Sequence, residues 1–199
     1  MYRIRLSSLL LLVVICAAPA LAQDYVFHVD PAQSTVEFTL GDVMHTVHGT
    51  FQMKSSVIHF DPQTGKASGA FVVDATTGYS GSKGRDKKMH KEVLESAKYP
   101  AISFAVQNIH GAVPPEGTSQ VEMIGIFTIH GADHPITVTA PVRVENGQAF
   151  ADVHFQVPYV KWGMKNPSTF VLRVSDKVDI LVHAVGMLSV DGVAAAGAR

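Results

Sequence analysis

Ten histidines, one cysteine and a short glycine-serine run are the residues of this 199-residue chain with the clearest capacity for chemistry. Gly78-Tyr79-Ser80-Gly81-Ser82 comes nearest to a nucleophile elbow, Gly-x-Ser-x-Gly, in which a sharp strand-to-helix turn exposes a serine hydroxyl. Its second glycine stands one place early, so the pattern fails. A phosphate-binding loop fails too, because Arg85 follows Gly84 where Lys-Ser/Thr should close the motif. The stretch reads as a flexible approach to a helix. No catalytic residue is assigned, and the chain is read as a non-enzyme.

The histidines are weighed as metal or haem ligands. His45 and His48 are three apart, which places them on opposite faces of a straight strand. His130 and His134 bracket Gly131, where a turn could bring them together. No His-Glu-x-x-His pattern or clustered carboxylate accompanies either pair. His154 and His183 fall on the polar faces of their strands, where solvated histidines are ordinary. No metal site and no cofactor is assigned. Covalent haem is excluded by the lack of Cys-x-x-Cys-His, while a noncovalent haem on His130 or His134 stays open.

Composition bounds the setting for this chemistry. At 47% apolar and 17% charged residues, the chain can bury a core, so disorder is excluded as its main state. A formal charge of −1 supplies no polycationic face, so nucleic acid is excluded as a partner. Residues 1–22 combine Arg3 and Arg5, an apolar run and the small-x-small end Ala20-Leu21-Ala22, the signature of a cleavable export signal. The run is too short to cross a bilayer core of about 30 Å, which takes roughly 20 apolar residues. Cys16 follows the bulky Val13-Val14-Ile15, which does not suit lipoprotein processing. Cleavage removes two arginines, no acid and the only cysteine, so the charge moves from −1 to −3 and thiol chemistry disappears. The expected destination is the periplasm, or secretion beyond it.

Residues 23–190 read as one antiparallel β domain, and 191–199 as a fraying tail. Val36, Phe38 and Leu40 alternate with polar neighbours, as do Ile102, Phe104 and Val106, and then Ile136 to Val144. Val153, Phe155 and Val157 follow the same rule, and so do Val178, Ile180 and Val182. Further strands are expected over residues 47–53, 57–60, 71–75, 121–129 and 170–174. Asn146-Gly147 is a type I′ hairpin signal. About eight such strands make a sandwich or a closed barrel. The exception is residues 83–98, a helix with Met89, Val93 and Ala97 on one face, ended by Tyr99-Pro100.

The inward parity of these strands carries very small residues: Gly49, Gly69, Ala75, Gly125, Ala140, Ala149, Ala151 and Ala184. Phe38, Phe51, Phe71, Phe104, Phe127 and Phe155 share their faces. An eight-stranded barrel is either filled by side chains or holds one small ligand, and parity alone leaves both readings open. If a cavity exists, Gly125, between Met123 and Phe127, is the position where a larger side chain should occupy it.

Several segments resemble a known family. Phe27-His28-Val29-Asp30-Pro31 leading to Ser34-Thr35-Val36-Glu37-Phe38 resembles the opening of the YceI family. Val47-His48-Gly49-Thr50-Phe51, Arg85-Asp86 and Glu95-Ser96-Ala97-Lys98-Tyr99-Pro100 follow in order. Phe127-Thr128-Ile129-His130-Gly131 closes the set. The resemblance implies a lipocalin-like antiparallel barrel, exported to the periplasm, whose apolar bore holds a polyisoprenoid or a related amphiphile. The expected bore residues are Phe38, Phe71, Phe104, Met123, Gly125, Phe127 and Phe155. Arg85, Lys87, Lys88 and His90 are the candidates for a polar or phosphorylated head group at the mouth. Peripheral membrane contact and a homodimer are both compatible with such a carrier. The rival expectation is an accessory of membrane electron transfer carrying quinone or noncovalent haem.

Overall fold

The computed structural model describes residues 24–41, 46–169 and 173–190. The expected leader and the tail lie outside the described residues. Ten strands form one antiparallel sheet: β1 (Tyr25–Val29), β2 (Thr35–Gly41), β3 (Thr46–Met53), β4 (Val57–Phe60) and β5 (Ala67–Tyr79) come first. A short helix α1 (Lys83–Lys88) precedes β6 (Ala101–His110), β7 (Gly117–Ile129), β8 (Ala132–Glu145), β9 (Gln148–Val157) and β10 (Val178–Val190).

The pairing explains how ten strands make an eight-stranded barrel. Both β1 and β2 pair with β10, through Phe27↔Leu188 at one end and Val36↔Val182 at the other. Likewise β4 and β3 both pair with β5, through Ile58↔Gly69 and Met53↔Val73. The two short couples therefore act as two long strands, each broken once. With β5 to β10 they close an up-and-down barrel in which each strand lies beside its chain neighbours.

Each break is repaired by a buried serine. Ser34 Oγ accepts the Val185 N–H (3.0 Å) and donates to the Asp30 carbonyl (2.7 Å) between β1 and β2. Ser56 Oγ accepts the Val72 N–H (3.1 Å) and donates to the Lys54 carbonyl (3.1 Å) between β3 and β4. The hydroxyls replace ladder partners that the interruption would otherwise withdraw from the buried Val185 amide and the part-buried Val72 amide.

Two hairpins use the turn chemistry their sequences carry. Asn146 and Gly147 have φ of 52° and 76°, and His130 and Gly131 have 53° and 74°, the paired positive values of type I′ turns. At Gly131 the close approach matters as well, since a Cβ there would stand 2.4 Å from the Tyr99 ring.

Four expectations need correction. The helix stops at Lys88 and relaxes into one π turn, Met89–Val93, rather than running to residue 98. His90 causes this locally by contacting both Ser96 Oγ and the Gly78 carbonyl (2.9 Å each), and buried Leu94 and Ser96 turn the chain inward. Glu95 takes φ +46°, and Ala97 is exposed instead of lying on an apolar helix face. Of the strand expected at 170–174, residues 170–172 lie outside the described residues, and Arg173 and Val174 belong to none of the ten strands.

The third correction concerns Gly125. It pairs with Val106 at a bulge between β6 and β7, and a Cβ there would stand 2.2 Å from the Ala105 carbonyl oxygen. The glycine permits backbone approach, so enlarging it would force strands apart rather than fill a bore. Gly69, the fourth, is of the same kind: φ is +103° and a Cβ would stand 2.1 Å from the Val57 carbonyl oxygen.

Ser56→Ala should lower stability by about 1 kcal/mol, because it leaves the part-buried Val72 amide without its partner. Urea unfolding measures this, and loss of amide-exchange protection at Val72 should accompany it. An unchanged midpoint would show that the serine does not repair the break.

Candidate functional site

The inward side chains do not fill the barrel. On one wall stand Ala140 of β8, Ala149 and Ala151 of β9 and Ala184 of β10, with Ala151 and Ala184 directly opposite in the ladder. Phe60, Phe71 and Phe104 stand on the strands across from them, and Phe27 on β1 beside β10. The space between short and aromatic walls is a deep chamber of about 130 Å³, floored by Val113 and Leu188. Ser103 is its one polar lining residue among those described.

A second chamber of about 390 Å³ lies towards α1. Phe38, Leu40, Phe51, Ile129, Val157 and Ile180 wall it, with Met89, Val93 and Leu94 from the π turn and its end. Gly49 gives Phe38 its room, since a Cβ there would lie 2.2 Å from the Phe38 ring. Val73, Ile102, Phe127, Phe155 and Val182 wall both chambers, so the two are halves of one bore meeting at a waist.

Among the described residues, charged groups line this bore at the α1 end alone, where Arg85 and Lys88 stand with Ser80 and Thr169. Arg85 Nη2 donates to the Ser80 carbonyl (2.8 Å) and Nε donates to Ser80 Oγ (3.1 Å). Asp86 accepts the Ser80 amide (2.8 Å) and hydroxyl (2.5 Å), which fixes the serine beneath the arginine. Lys88 Nζ donates to the Pro167 carbonyl (2.7 Å). Among the described residues neither cation forms an ion pair, so both keep charge available at the mouth.

The segment after β9 caps this end. Tyr159 and Met164 are buried, and the Tyr159 hydroxyl donates to the Ser175 carbonyl (2.6 Å). Lys165 pairs with Glu92 (2.7 Å), holding that carboxyl below its usual range, and so ties the cap to the π turn. Trp162 lies flat on His134, with centroids 3.9 Å apart, and 5.9 Å from Phe127.

Of the residues expected in the bore, Phe71, Phe104 and Met123 wall the deep chamber, Phe38 the mouth chamber, and Phe127 and Phe155 both. Gly125 walls neither. Of the expected head-group residues, Arg85 and Lys88 line the mouth. Lys87 is exposed on α1 away from it, and His90 is committed to Gly78 and Ser96. His130 contacts the Tyr99 ring and Glu95, whereas His134 is stacked on Trp162, so the pair does not converge and neither ring lines the bore. His48 meets Thr39 (3.1 Å) and His183 meets Asp152 (2.6 Å) on the outer surface, while His45 lies outside the described residues. No group of three or more His, Cys, Asp or Glu that could hold a metal gathers among the described residues. Sequence reasoning missed Phe27 and Phe60, although both carry inward parity, and it missed the cap, which has no period to read.

Burial, and secondarily the charge of Asp176, pushes the Tyr159 phenol up to about 12 from its ordinary value of 10.0. A group raised on folding stabilises fully below its unfolded pKa and loses that contribution as pH climbs through the folded one. Between pH 10 and about 12, stability should therefore fall more steeply in the wild type than in Tyr159→Phe. The variant should also be weaker by about 1 kcal/mol at neutral pH for the lost hydrogen bond. Unfolding curves across that window check both, and parallel pH slopes would contradict the assignment.

The barrel, its apolar bore and the polar mouth can be set beside known proteins. A UPF0312 protein of Vibrio cholerae is 27% identical over 122 residues, and the chain spans 62% of the length of that relative. The crystal structure of Burkholderia cenocepacia BcnA matches with a TM-score of 0.65 at 20% identity, over 80% of this chain and 99% of that one. A polyisoprenoid binding domain from Saccharophagus degradans, implicated in plant cell wall breakdown, matches with a TM-score of 0.64 at 14% identity. That match covers 81% of this chain and 98% of the other, and at such identities both show a shared fold. Residues 27–186 match the YceI-like domain, nearly the whole of the barrel, and the chain belongs to that family.

Proposed function

We propose that the protein is an exported, non-catalytic carrier that holds a polyisoprenoid or similar long amphiphile, its chain in the bore and its head at Arg85 and Lys88. The observation that carries this reading is the polarity of the bore: apolar apart from Ser103 until the α1 end, where Arg85 and Lys88 stand without an ion pair among the described residues. Burying an apolar chain there is favourable by about 25 cal/mol per Å², which needs no catalytic group. A charged or phosphorylated head would stay hydrated at the mouth while bonding to the two cations, as desolvation costs require. The Saccharophagus degradans neighbour is described as polyisoprenoid-binding, which supports a ligand of this class.

Export removes residues 1–22 in this proposal, so the mature chain begins at Gln23. Exposed Lys83, Lys87 and Lys91, on the outer side of α1 and the π turn, would face an anionic membrane surface during loading. A prenylated quinone would fill the same bore with a neutral head that makes no demand on Arg85 or Lys88.

Native mass spectrometry of protein extracted gently from its own host tests the reading. The expected species starts at Gln23 and carries an apolar adduct that organic extraction removes. After delipidation, a prenyl phosphate should bind more tightly than the corresponding alcohol. Arg85→Gln with Lys88→Gln should erase that preference by about tenfold per charged contact. Equal binding of phosphate and alcohol by the wild type would favour the neutral-headed ligand. A mature protein without any apolar adduct, and without saturable binding of either probe, would sink the carrier function.

A further inference from the structure

We propose that Phe127 and Phe155 form a gate inside the bore that decides what length of apolar chain the protein takes. The proposal rests on the carrier reading above and adds a specificity determinant to it. The two rings come from β7 and β9, which are separated by β8, yet they meet edge to face with centroids 5.6 Å apart and planes at 78°. They reach that contact by leaning into the bore, and they are the two aromatic residues that wall both chambers. Val73, Ile102 and Val182 complete the ring around the passage.

This geometry sorts chains into two classes. A short chain fits within the mouth chamber of about 390 Å³ and lies against the near side of the gate without passing it. A long chain has to pass the two rings before it gains the further 130 Å³ beyond. From Phe155 to Ala149 the deep chamber follows β9 for six residues, on the order of 15 Å along a tilted strand. The gain from burying that extra length is available only to a chain that passes the gate. The alanine wall is what leaves room behind it.

Trp162, the only tryptophan of the chain, is 5.9 Å from Phe127 and reports movement of that ring. Delipidated protein is mixed with farnesyl, geranylgeranyl or solanesyl alcohol, in order of increasing length, and uptake is followed by native mass spectrometry beside Trp162 emission. In the wild type, solanesyl alcohol should shift the emission further than farnesyl alcohol does. Phe155→Leu removes one ring while keeping an apolar wall, and should load the long alcohol roughly two- to tenfold faster while changing loading of the short one far less. Ala151→Leu, behind the gate, should reduce long-chain retention to the level of the short chain and leave the short chain unaffected. Identical uptake of short and long chains in wild type and both variants would overturn the gate while leaving the carrier reading intact. A wild type that takes up none of the alcohols would overturn both.

Discussion

Ala151 and Ala184 face each other across the β9–β10 ladder, and the volume their short side chains leave unfilled is the feature on which everything else in this molecule depends. A closed barrel of eight strands has just enough interior to be filled by side chains or to hold one small ligand. Here the balance is struck unevenly around the circumference. The β8–β10 wall carries four alanines, and the strands facing it carry Phe60, Phe71 and Phe104. Rings alone cannot reach across the gap, so the interior stays hollow.

A hollow core costs packing energy, and the rest of the fold compensates by closing the shell well. The closure runs through β10, which is long enough to pair with β1 and β2 in succession on one side and with β9 on the other. Two serines keep the amides at the strand breaks satisfied, so that the shell has no weak line beside β5 or β10. At the far end the β6–β7 loop brings Val113 under the deep chamber. At the near end the cap and the π turn are joined by Lys165–Glu92 and by Lys88 to the Pro167 carbonyl. Lys88 thus serves both the cap and the mouth, and an anion bound there would compete with Pro167 for it.

Much of this was legible in the residues, for reasons that differ by element. Strand parity survives in the sequence because one face of each strand meets apolar interior and the other meets water, so β7 and β9 read cleanly. The turns at Asn146-Gly147 and around Gly131 announce themselves through positive φ, which few residues adopt. Strand breaks leave no such mark: Ser34 and Ser56 are ordinary serines until the amides they satisfy are known. Gly125 shares the parity of Met123 and Phe127, and only the bulge at Val106 shows that its missing side chain serves the neighbouring backbone. The helix reads longer than it is because residues 89–98 have helical propensity, while burial of Leu94 and the two contacts of His90 outweigh it. The cap from Tyr159 to Met164 has no period at all, and its place over the mouth follows from tertiary contacts alone.

The central claim is that the bore is open space rather than a loosely filled core, and unfolding of delipidated Ala151→Leu tests it most directly. Into an open bore the added side chain brings only new apolar contact, so stability in urea should hold or rise. Overpacking a filled core typically costs about 1–3 kcal/mol. A loss of that size, in protein verified free of ligand, would contradict the account.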